Sequence, residues 1–360
     1  MRTHLFMRCS KISLEGEFFI EGDFIEDTYG IIFDVKGYEH PPAKVVAYPR
    51  YVPSPSGNRC RNGRCYEKIY DLNVRYEFLR SKLMEYLVYD DVFDAYVCEV
   101  PLKNITKHYI PTKYLRNLFK HSDSLKGLKK RALDLALTLA RESDVNIENL
   151  GISGSLLVNL HRENSDIDLI IYGTGESRKV ANILNKLFSR GVLRKHNIEE
   201  YRKLFEFRKA YKIMDFETFV KHERRKIFQG FFLNREFFIR FVKKPHETTK
   251  YGEFKYKDMG EITIKAKVVD DSESIFTPVS YKIEVIKVID SSKLKGNVDF
   301  NEVREVVSFR GRFCQQVFSG EIAIVKGKLE SVLYCGEFSH YRIIVGGSHN
   351  DFIISEGLLR

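Results

Sequence analysis

The chain has 360 residues, too many for one ordinary hydrophobic core, so its length predicts two or three domains. With 43% hydrophobic and 30% charged residues, it has the composition of a soluble globular protein, and its net charge of +10 favours a polyanionic partner. No run of about 18 uncharged apolar residues occurs and the start lacks the apolar segment of a signal peptide, so we expect no transmembrane helix and a cytoplasmic protein.

Residues 1–120 predict an α+β domain whose role the sequence does not indicate. Strands are predicted at 17–20, 30–35 and 44–48, with turns that favour a small antiparallel sheet, and a helix is predicted near 72–89. Cys60 and Cys65 have the spacing of half a zinc site, but no second pair lies nearby. The alternative is a local disulfide, which is compatible with a hyperthermophilic source.

Residues 121–249 alternate between helical and strand patterns. An apolar period of about 3.6 over residues 125–140 predicts a helix, which leads into a short strand and a glycine turn. A strand at 166–172, a second amphipathic helix up to residue 191 and further helical sequence at 198–228 follow. A strand is predicted at 235–242. This order predicts a domain in which helices pack on a mixed sheet.

The segment 151–173 carries most of the functional signal. Gly154 and Ser155 form a turn where a missing side chain lets backbone N–H groups approach a phosphate, beside a short predicted helix. Asp166 and Asp168 are two residues apart on a strand and therefore project from one face. Adjacent carboxylates repel unless a cation lies between them, and Mg²⁺ binds one or two carboxylates together with phosphate oxygens. The pattern predicts a nucleoside triphosphate cradle and a Mg²⁺ or Mn²⁺ site; the alternative is a turn residue and a solvated strand face.

Residues 250–360 return to alternation with a period of two. About five short strands separated by Gly, Ser, Asn and Asp turns predict a small closed or partly closed β-barrel, which is similar to an OB-fold. Such barrels often bind nucleic acid, but the fold alone does not establish that function.

One family resemblance rests on the Gly154-Ser155 turn and the Asp166-Ile-Asp168 strand. With ten residues between them and hydrophobic residues after them, they resemble the signature of the DNA polymerase beta-type nucleotidyltransferase superfamily, especially its small minimal members. Segments such as Glu21-Gly-Asp-Phe-Ile and Ser308-Phe-Arg-Gly-Arg-Phe are similar to a group of archaeal predicted nucleotidyltransferases. The resemblance implies a central minimal nucleotidyltransferase fold and transfer of a nucleoside monophosphate to an acceptor.

The superfamily places a third carboxylate on a later strand between apolar neighbours. Glu236, on the strand predicted at 235–242, is the candidate for completing the catalytic metal site, although Arg235 precedes it where an apolar residue is usual. Glu206 and Asp215 fit the local pattern better, yet they lie in sequence that predicts helix. Arg240 shares the face of Glu236 and would suit phosphate or pyrophosphate binding; the alternative is a surface charge on an edge strand.

Two basic segments bear on the acceptor. Residues 221–257 contain eleven Lys or Arg against four Glu, interleaved with aromatics, and residues 41–66 contain five Lys or Arg and no acid. Such groups neutralise phosphates and stack on unpaired bases, so they favour RNA; the alternative is that the phenylalanines form the core. The expected function is nucleotidyl transfer to RNA. The alternatives are a nucleic-acid-binding protein with a degenerate transferase domain, and a toxin-antitoxin or assembly component.

Overall fold

The N-terminal part of the chain forms an antiparallel sheet. In the computed structural model, which describes residues 18–359, the protein is α+β and its strands belong to three sheets. The strands of the first sheet are β1 (Phe24–Asp27), β2 (Ile32–Val35), β3 (Lys44–Pro53), β4 (Arg59–Arg61), β5 (Arg64–Lys68), β6 (Leu87–Asp90), β7 (Ala95–Pro101) and β8 (Ile105–Tyr109). Their order is β4-β5-β3-β2-β1-β8, with β7 also paired to β3 and β6 to β7. This confirms the predicted antiparallel sheet; of the strand predicted at 17–20, residue 17 lies outside the described residues and residues 18–20 are not in a strand.

The helix predicted near residues 72–89 is shorter than expected. Helix α1 (Leu72–Lys82) begins after Asp71, whose carboxylate accepts a hydrogen bond from Asn73 N at 2.8 Å. It ends at Lys82 because the following residues belong to a 3₁₀ turn and then to β6, which pairs with β7. The backbone pairing of β6 with β7 outweighed a helical pattern that continued along the sequence.

The central part combines helices with a mixed four-stranded sheet, as predicted. Its strands are β9 (Leu150–Ile152), β10 (Ile167–Tyr172), β11 (Gln229–Phe232) and β12 (Arg235–Val242), and its helices are α2 (Pro111–Lys120), α3 (Gly127–Ser143), α4 (Gly154–Leu157), α5 (Thr174–Ser189), α6 (Ile198–Phe207) and α7 (Phe216–Arg225). The sheet order is β11-β12-β10-β9, with β10 and β12 parallel. Helix α3 buries Leu128, Ala132, Leu135 and Leu139 in the core, which confirms its predicted face.

The helical stretch predicted at 198–228 is divided. Lys209, after α6, has a left-handed φ of +52°, and Asp215 caps α7 by accepting a hydrogen bond from Thr218 N at 2.9 Å. The chain beyond Arg225 leaves the helix and forms β11, which pairs antiparallel with β12. A break between two capped helices has no signature in apolar periodicity alone.

The C-terminal sheet closes on itself. Its strands are β13 (Phe254–Asp270), β14 (Val279–Leu294), β15 (Val303–Ser308), β16 (Ile322–Tyr334), β17 (Glu337–Ile344) and β18 (Phe352–Ser355). The order is β13-β14-β15-β17-β16, and β13 also pairs with β16, so these strands form a ring to which β18 is added. Along β13, Ile262, Ile264, Ala266 and Val268 are buried at every second position, which is the alternation that predicted the barrel.

The N-terminal sheet is held against the central domain near α4. Phe24, Ile32 and Tyr51 from the first sheet share a buried cluster with Leu157 and Val158. The hairpin of β4 and β5 is closed by a disulfide between Cys60 and Cys65, and its arginines donate hydrogen bonds to backbone carbonyls of the segment that precedes Asp166: Arg61 to Val158 O at 2.8 Å and Arg59 to Leu160 O at 2.6 Å.

Within residues 18–359, no helix has both the length and the apolar character needed to span a membrane.

Candidate active site

The carboxylate pair lies at the start of β10, the strand between β9 and β12. Ile167 and Leu169 are fully buried in the core, so Asp168, which lies between them on β10, projects from the opposite face, and Asp166 directly precedes the strand. Asp166 is exposed, whereas Asp168 is partly buried. The predicted alternation therefore holds for Asp168, and Asp166 is close enough for its charge to act on Asp168.

Gly154 allows the Asp168 side chain to occupy its position. Its φ is +62°, and a Cβ there would lie 1.8 Å from Asp168 Oδ2. The turn is fixed to the strand because Ser153 N donates a hydrogen bond to Asp168 O at 2.9 Å. Any side chain at position 154 would thus displace the carboxylate, which gives a physical reason for the Gly-Ser pair beside the Asp-x-Asp strand.

Ser155 has a buried hydroxyl that is not satisfied. The residue is 2% exposed, and its Oγ has no hydrogen-bond partner among the described residues. Helix α4, which begins at this turn, has only four residues, so the expected helix-dipole contribution is small. A buried hydroxyl without a partner is uncommon in native proteins and is a reason to look for a ligand.

Neither aspartate forms a close ion pair within the described residues, although the charges of Lys68, Arg240 and Arg50 act on Asp168. Within the described part of the chain, the Asp166 and Asp168 carboxylates make no hydrogen bond or ion pair to another side chain or to a backbone N–H, and residues 18–359 contain no cluster of three His, Cys, Asp or Glu arranged to hold a metal. Burial, and then the neighbouring charge of Asp166, raise the pKa of Asp168 to about 6. Two such carboxylates would gain free energy from a bound cation.

A narrow cavity of about 40 Å³ lies beside Asp168, between the N-terminal sheet and the central sheet, and Asp166, Ser155 and Glu236 are not among the residues that line it. The N-terminal sheet contributes Asp34, Arg50 and Lys68 to its lining, and the central domain contributes Asp168, Arg240, Phe238, Gly154 and others. The volume corresponds to roughly three water-sized groups, which is the size of a cation or one phosphate group.

Glu236 is on the same face of β12 as the sequence predicted. The register pairs Phe238 with Asp168 and Arg240 with Ile170. Glu236 lies two residues before Phe238, nearer the start of β12. The Glu236 carboxylate lies 2.9 Å from His196 Nε2, a distance that suits a hydrogen bond or an ion pair. The Glu236 side chain is about half exposed. The position directly opposite Asp168 is therefore occupied by an aromatic ring, and the role of Glu236 stays a prediction.

The two other acidic candidates have different settings. Asp215 is the cap of α7, and its carboxylate accepts hydrogen bonds from the Thr218 backbone N and hydroxyl. Glu206 is an exposed residue in α6. Neither lines the cavity that contains Asp168.

Arg240 lines the cavity and is held by an ion pair. Its Nη1 lies 2.7 Å from Glu21 Oε1, and Lys36 joins the same network through Glu21 at 3.1 Å and Asp34 at 2.9 Å. Because β12 lies between β11 and β10, the alternative of a surface charge on an edge strand is wrong.

Sequence reasoning missed the contribution of the N-terminal sheet to this cavity. Asp34, Arg50 and Lys68 come from β2, β3 and β5, more than 80 residues before Asp168. The acid-free basic segment at 41–66 pointed to Arg50, but no local pattern connected that segment to the aspartates. The phenylalanines of the second basic segment mostly form the core, since Phe228, Phe237 and Phe241 are at most 1% exposed.

Comparisons with known proteins give one close relationship. The chain is 32% identical over 339 residues to the uncharacterized protein MJ1086 of Methanocaldococcus jannaschii, and the match covers 92% of this chain and 96% of the relative. No protein-family model matches the sequence. No solved structure matches it either.

Proposed function

The chain belongs to the same family as the uncharacterized Methanocaldococcus jannaschii protein, and we propose that it is a Mg²⁺- or Mn²⁺-dependent nucleotidyltransferase. It would transfer a nucleoside monophosphate from a nucleoside triphosphate to an acceptor, with RNA as the proposed acceptor. The proposal includes a minimal nucleotidyltransferase fold for the central domain and an OB-like barrel for the C-terminal ring of strands, which the five-stranded closure supports.

The observation that carries this proposal is a pair of carboxylates without a close partner, next to a turn whose buried hydroxyl is unsatisfied. Asp166 and Asp168 have no hydrogen-bonding or ion-pair partner among the described residues, and Ser155 Oγ is buried without one. A structural role for the aspartates would have provided caps or ion pairs, as it does for Asp215 and for Asp34. Polar side chains without a hydrogen-bond or ion-pair partner are typical of a site that binds a ligand.

The residues present fit a divalent metal with oxygen ligands. Asp166 and Asp168 would hold it, and Gly154 keeps the space beside Asp168 free of a side chain. When bound, Mg²⁺ neutralises phosphate oxygens during displacement at phosphorus.

The protein itself would bind and orient the substrate. Ser155, next to the cavity-lining Gly154, can donate its hydroxyl proton to a phosphate oxygen, and Arg240, fixed by Glu21, presents a guanidinium on the wall of the cavity. Asp168, whose pKa is about 6, is ionised above neutral pH and is then able to attract a cation. The small volume of the cavity fits one phosphate group.

The test is label transfer from each of the four α-labelled nucleoside triphosphates to total cellular RNA, with Mg²⁺ or Mn²⁺. We expect transfer by the natural protein and its loss in Asp166→Asn and Asp168→Asn, which keep the size of each side chain. Asp91→Asn is the matched control, because Asp91 is an exposed carboxylate in the turn between β6 and β7. Transfer that persists in both site variants would exclude this site.

The alternative of a nucleic-acid-binding protein with a degenerate transferase domain predicts a different result. It would bind RNA with a strong salt dependence, and Mn²⁺ would have no measurable affinity for it. Parallel measurements of RNA retention and Mn²⁺ affinity on the same preparation therefore separate the two functions.

A further inference from the structure

Two exposed aromatic rings meet next to the cavity that contains Asp168. Tyr70 lies in the loop between β5 and α1, and Phe207 is the last residue of α6. Their ring centroids are 5.8 Å apart, and the ring planes meet at 89°. Tyr70 is 45% exposed and Phe207 is 66% exposed, so both rings have free surface. These two residues are called the aromatic pair.

Two cations connect the aromatic pair to the cavity. The guanidinium carbon of Arg50 lies 4.9 Å from the centroid of the Tyr70 ring, and Lys68 Nζ lies 4.5 Å from it. Both side chains also line the cavity together with Asp168, whereas the rings of the aromatic pair do not line it. Arg50 Nη1 donates a hydrogen bond to Ile69 O at 3.1 Å, which holds the guanidinium beside the ring. The aromatic pair therefore lies outside the cavity and shares two cations with it.

The chain around Phe207 is basic. Residues 201–212 contain five Lys or Arg against one Glu. Four of these basic residues are exposed, namely Arg202, Lys203, Lys209 and Lys212. Lys209 Nζ lies 3.6 Å from Asp71 Oδ2, which ties the turn after α6 to the loop that carries Tyr70. Positive charge thus borders the aromatic pair on the side of α6 as well as on the side of the cavity.

A second exposed aromatic pair in the protein has the opposite electrostatic setting. Tyr89 on β6 and Tyr96 on β7 are partners in the strand register, and their ring centroids are 5.3 Å apart with the planes at 74°. Residues 89–96 contain three Asp and no Lys or Arg. Cross-strand packing accounts for the contact between these two tyrosines. The rings next to the cavity are combined with cations instead, which is the combination that binds unpaired bases and their phosphates.

We propose that the aromatic pair stacks on unpaired bases of a single-stranded RNA and thereby directs the end of that strand toward Asp168. This rests on the proposed function for what happens to the strand, and it specifies the acceptor as a single strand rather than a duplex. In a duplex the base faces are covered by neighbouring bases, so an aromatic side chain stacks on a base only where the strand is unpaired. The exposed cations of residues 201–212 would neutralise the phosphates of the strand, whose charge they complement.

The test uses the absence of tryptophan from the sequence. Phe207→Trp introduces the only tryptophan of the chain, and a base that stacks on its indole ring should quench its fluorescence. The full chain is titrated in EDTA with a single-stranded RNA of about ten nucleotides, with the same RNA annealed to its complement, and with an abasic oligomer of the same length. We expect the single strand to quench the fluorescence and to bind at least about tenfold more tightly than the duplex or the abasic oligomer.

Tyr96→Trp is the matched control, because Tyr96 is an exposed ring in the acidic aromatic pair. Its fluorescence should not change when the single strand is added. Phe207→Ala should weaken binding of the single strand by about tenfold or more, since one stacked base contributes that much, and Tyr96→Ala should not weaken it. Phe207 is mostly exposed, so its removal should leave the thermal midpoint without RNA almost unchanged. Phe207→Trp keeps an aromatic ring, so the quenching decides the question even if Phe207→Ala is less stable.

Three results would overturn the proposal. The first is equal affinity of Phe207→Ala and the natural protein for the single strand. The second is equal affinity of the natural protein for the single strand and the abasic oligomer, which would mean that phosphates alone are bound. The third is quenching of Phe207→Trp by a free nucleoside triphosphate and not by the oligonucleotide, which would assign the aromatic pair to the nucleotide instead of RNA.

This proposal and the proposed function fail in different ways. RNA binding that depends on Phe207, in a protein that shows no transfer, would remove the transferase function and keep the RNA surface. Transfer with an unchanged KM for RNA in Phe207→Ala would remove the RNA surface and keep the transferase.

Discussion

Gly154→Ala tests whether the glycine turn exists to accommodate the Asp168 carboxylate. The alanine would adopt a φ of +62°, which costs about 1 to 2 kcal/mol for a residue with a Cβ. Its Cβ would also begin 1.8 Å from Asp168 Oδ2. A normal contact requires more than 3 Å, so the carboxylate must move by roughly 1 Å, and a shift of that size in a catalytic group lowers rates by about 100-fold.

The measurements are the free energy of unfolding in urea, the affinity for Mn²⁺ and the rate of transfer. Gly127→Ala is the matched control, since Gly127 has a φ of +59° and nothing within 4 Å of its Cβ position. The free energy of unfolding should fall by a similar amount in both variants, because each places an alanine at a positive φ. Only Gly154→Ala should also lose Mn²⁺ affinity and activity. Equal Mn²⁺ affinities in the two variants would refute the reasoning that links Gly154 to Asp168.

Three further predictions concern the same region. Glu236→Gln should lower the transfer rate by at least about tenfold if Glu236 completes the metal site, and a near-normal rate would remove it from the site. Asp168→Asn in EDTA should raise the free energy of unfolding by about 1 to 3 kcal/mol at pH 7.5, because the raised pKa of about 6 makes the ionised side chain unfavourable above that pH. Urea titrations should show this gain vanish near pH 4, where the folded carboxyl is protonated; a constant gain would contradict it. Reduction of the Cys60–Cys65 disulfide should lower the stability of the protein by about 2 kcal/mol, because the disulfide closes a short loop. Thermal melts measure this loss, and Cys335→Ser, which removes an exposed free cysteine, is the control.

Local patterns predicted elements and faces more successfully than they predicted the site. The alternation around Asp168 and the period of the helix at Leu128 depend on neighbouring residues, and both are reproduced in the structure. The bounds of β12 also agree with the predicted strand at 235–242. The helix near residue 72 was overextended because β6 forms by pairing with β7, which local periodicity does not encode.

The environment of the aspartates depends on contacts between distant segments. Whether Glu236 or Phe238 lies opposite Asp168 is decided by the register of two parallel strands separated by some 60 residues. The charge of Arg310 acts on Arg75 only because the fold brings α1 and the turn after β15 near each other. The spacing of residues along the sequence carries no information about such packing. The basic segments therefore indicated a polyanionic partner but not where it would bind.

Opposite charges line one cavity here, and no close ion pair joins Asp168 to Arg50 or Lys68 among the described residues. Lys36 and Asp34 show that the same region can form a close ion pair, at 2.9 Å. Asp168 and Arg50 do not form one: the turn at Gly154 determines the position of the carboxylate, and the carbonyl of Ile69 holds the guanidinium. Burial disfavours the charged form of Asp168, and it raises the pKa of that carboxyl to about 6 together with the charge of Asp166. A cation would satisfy the Asp168 carboxylate, and a phosphate group would satisfy the Arg50 guanidinium.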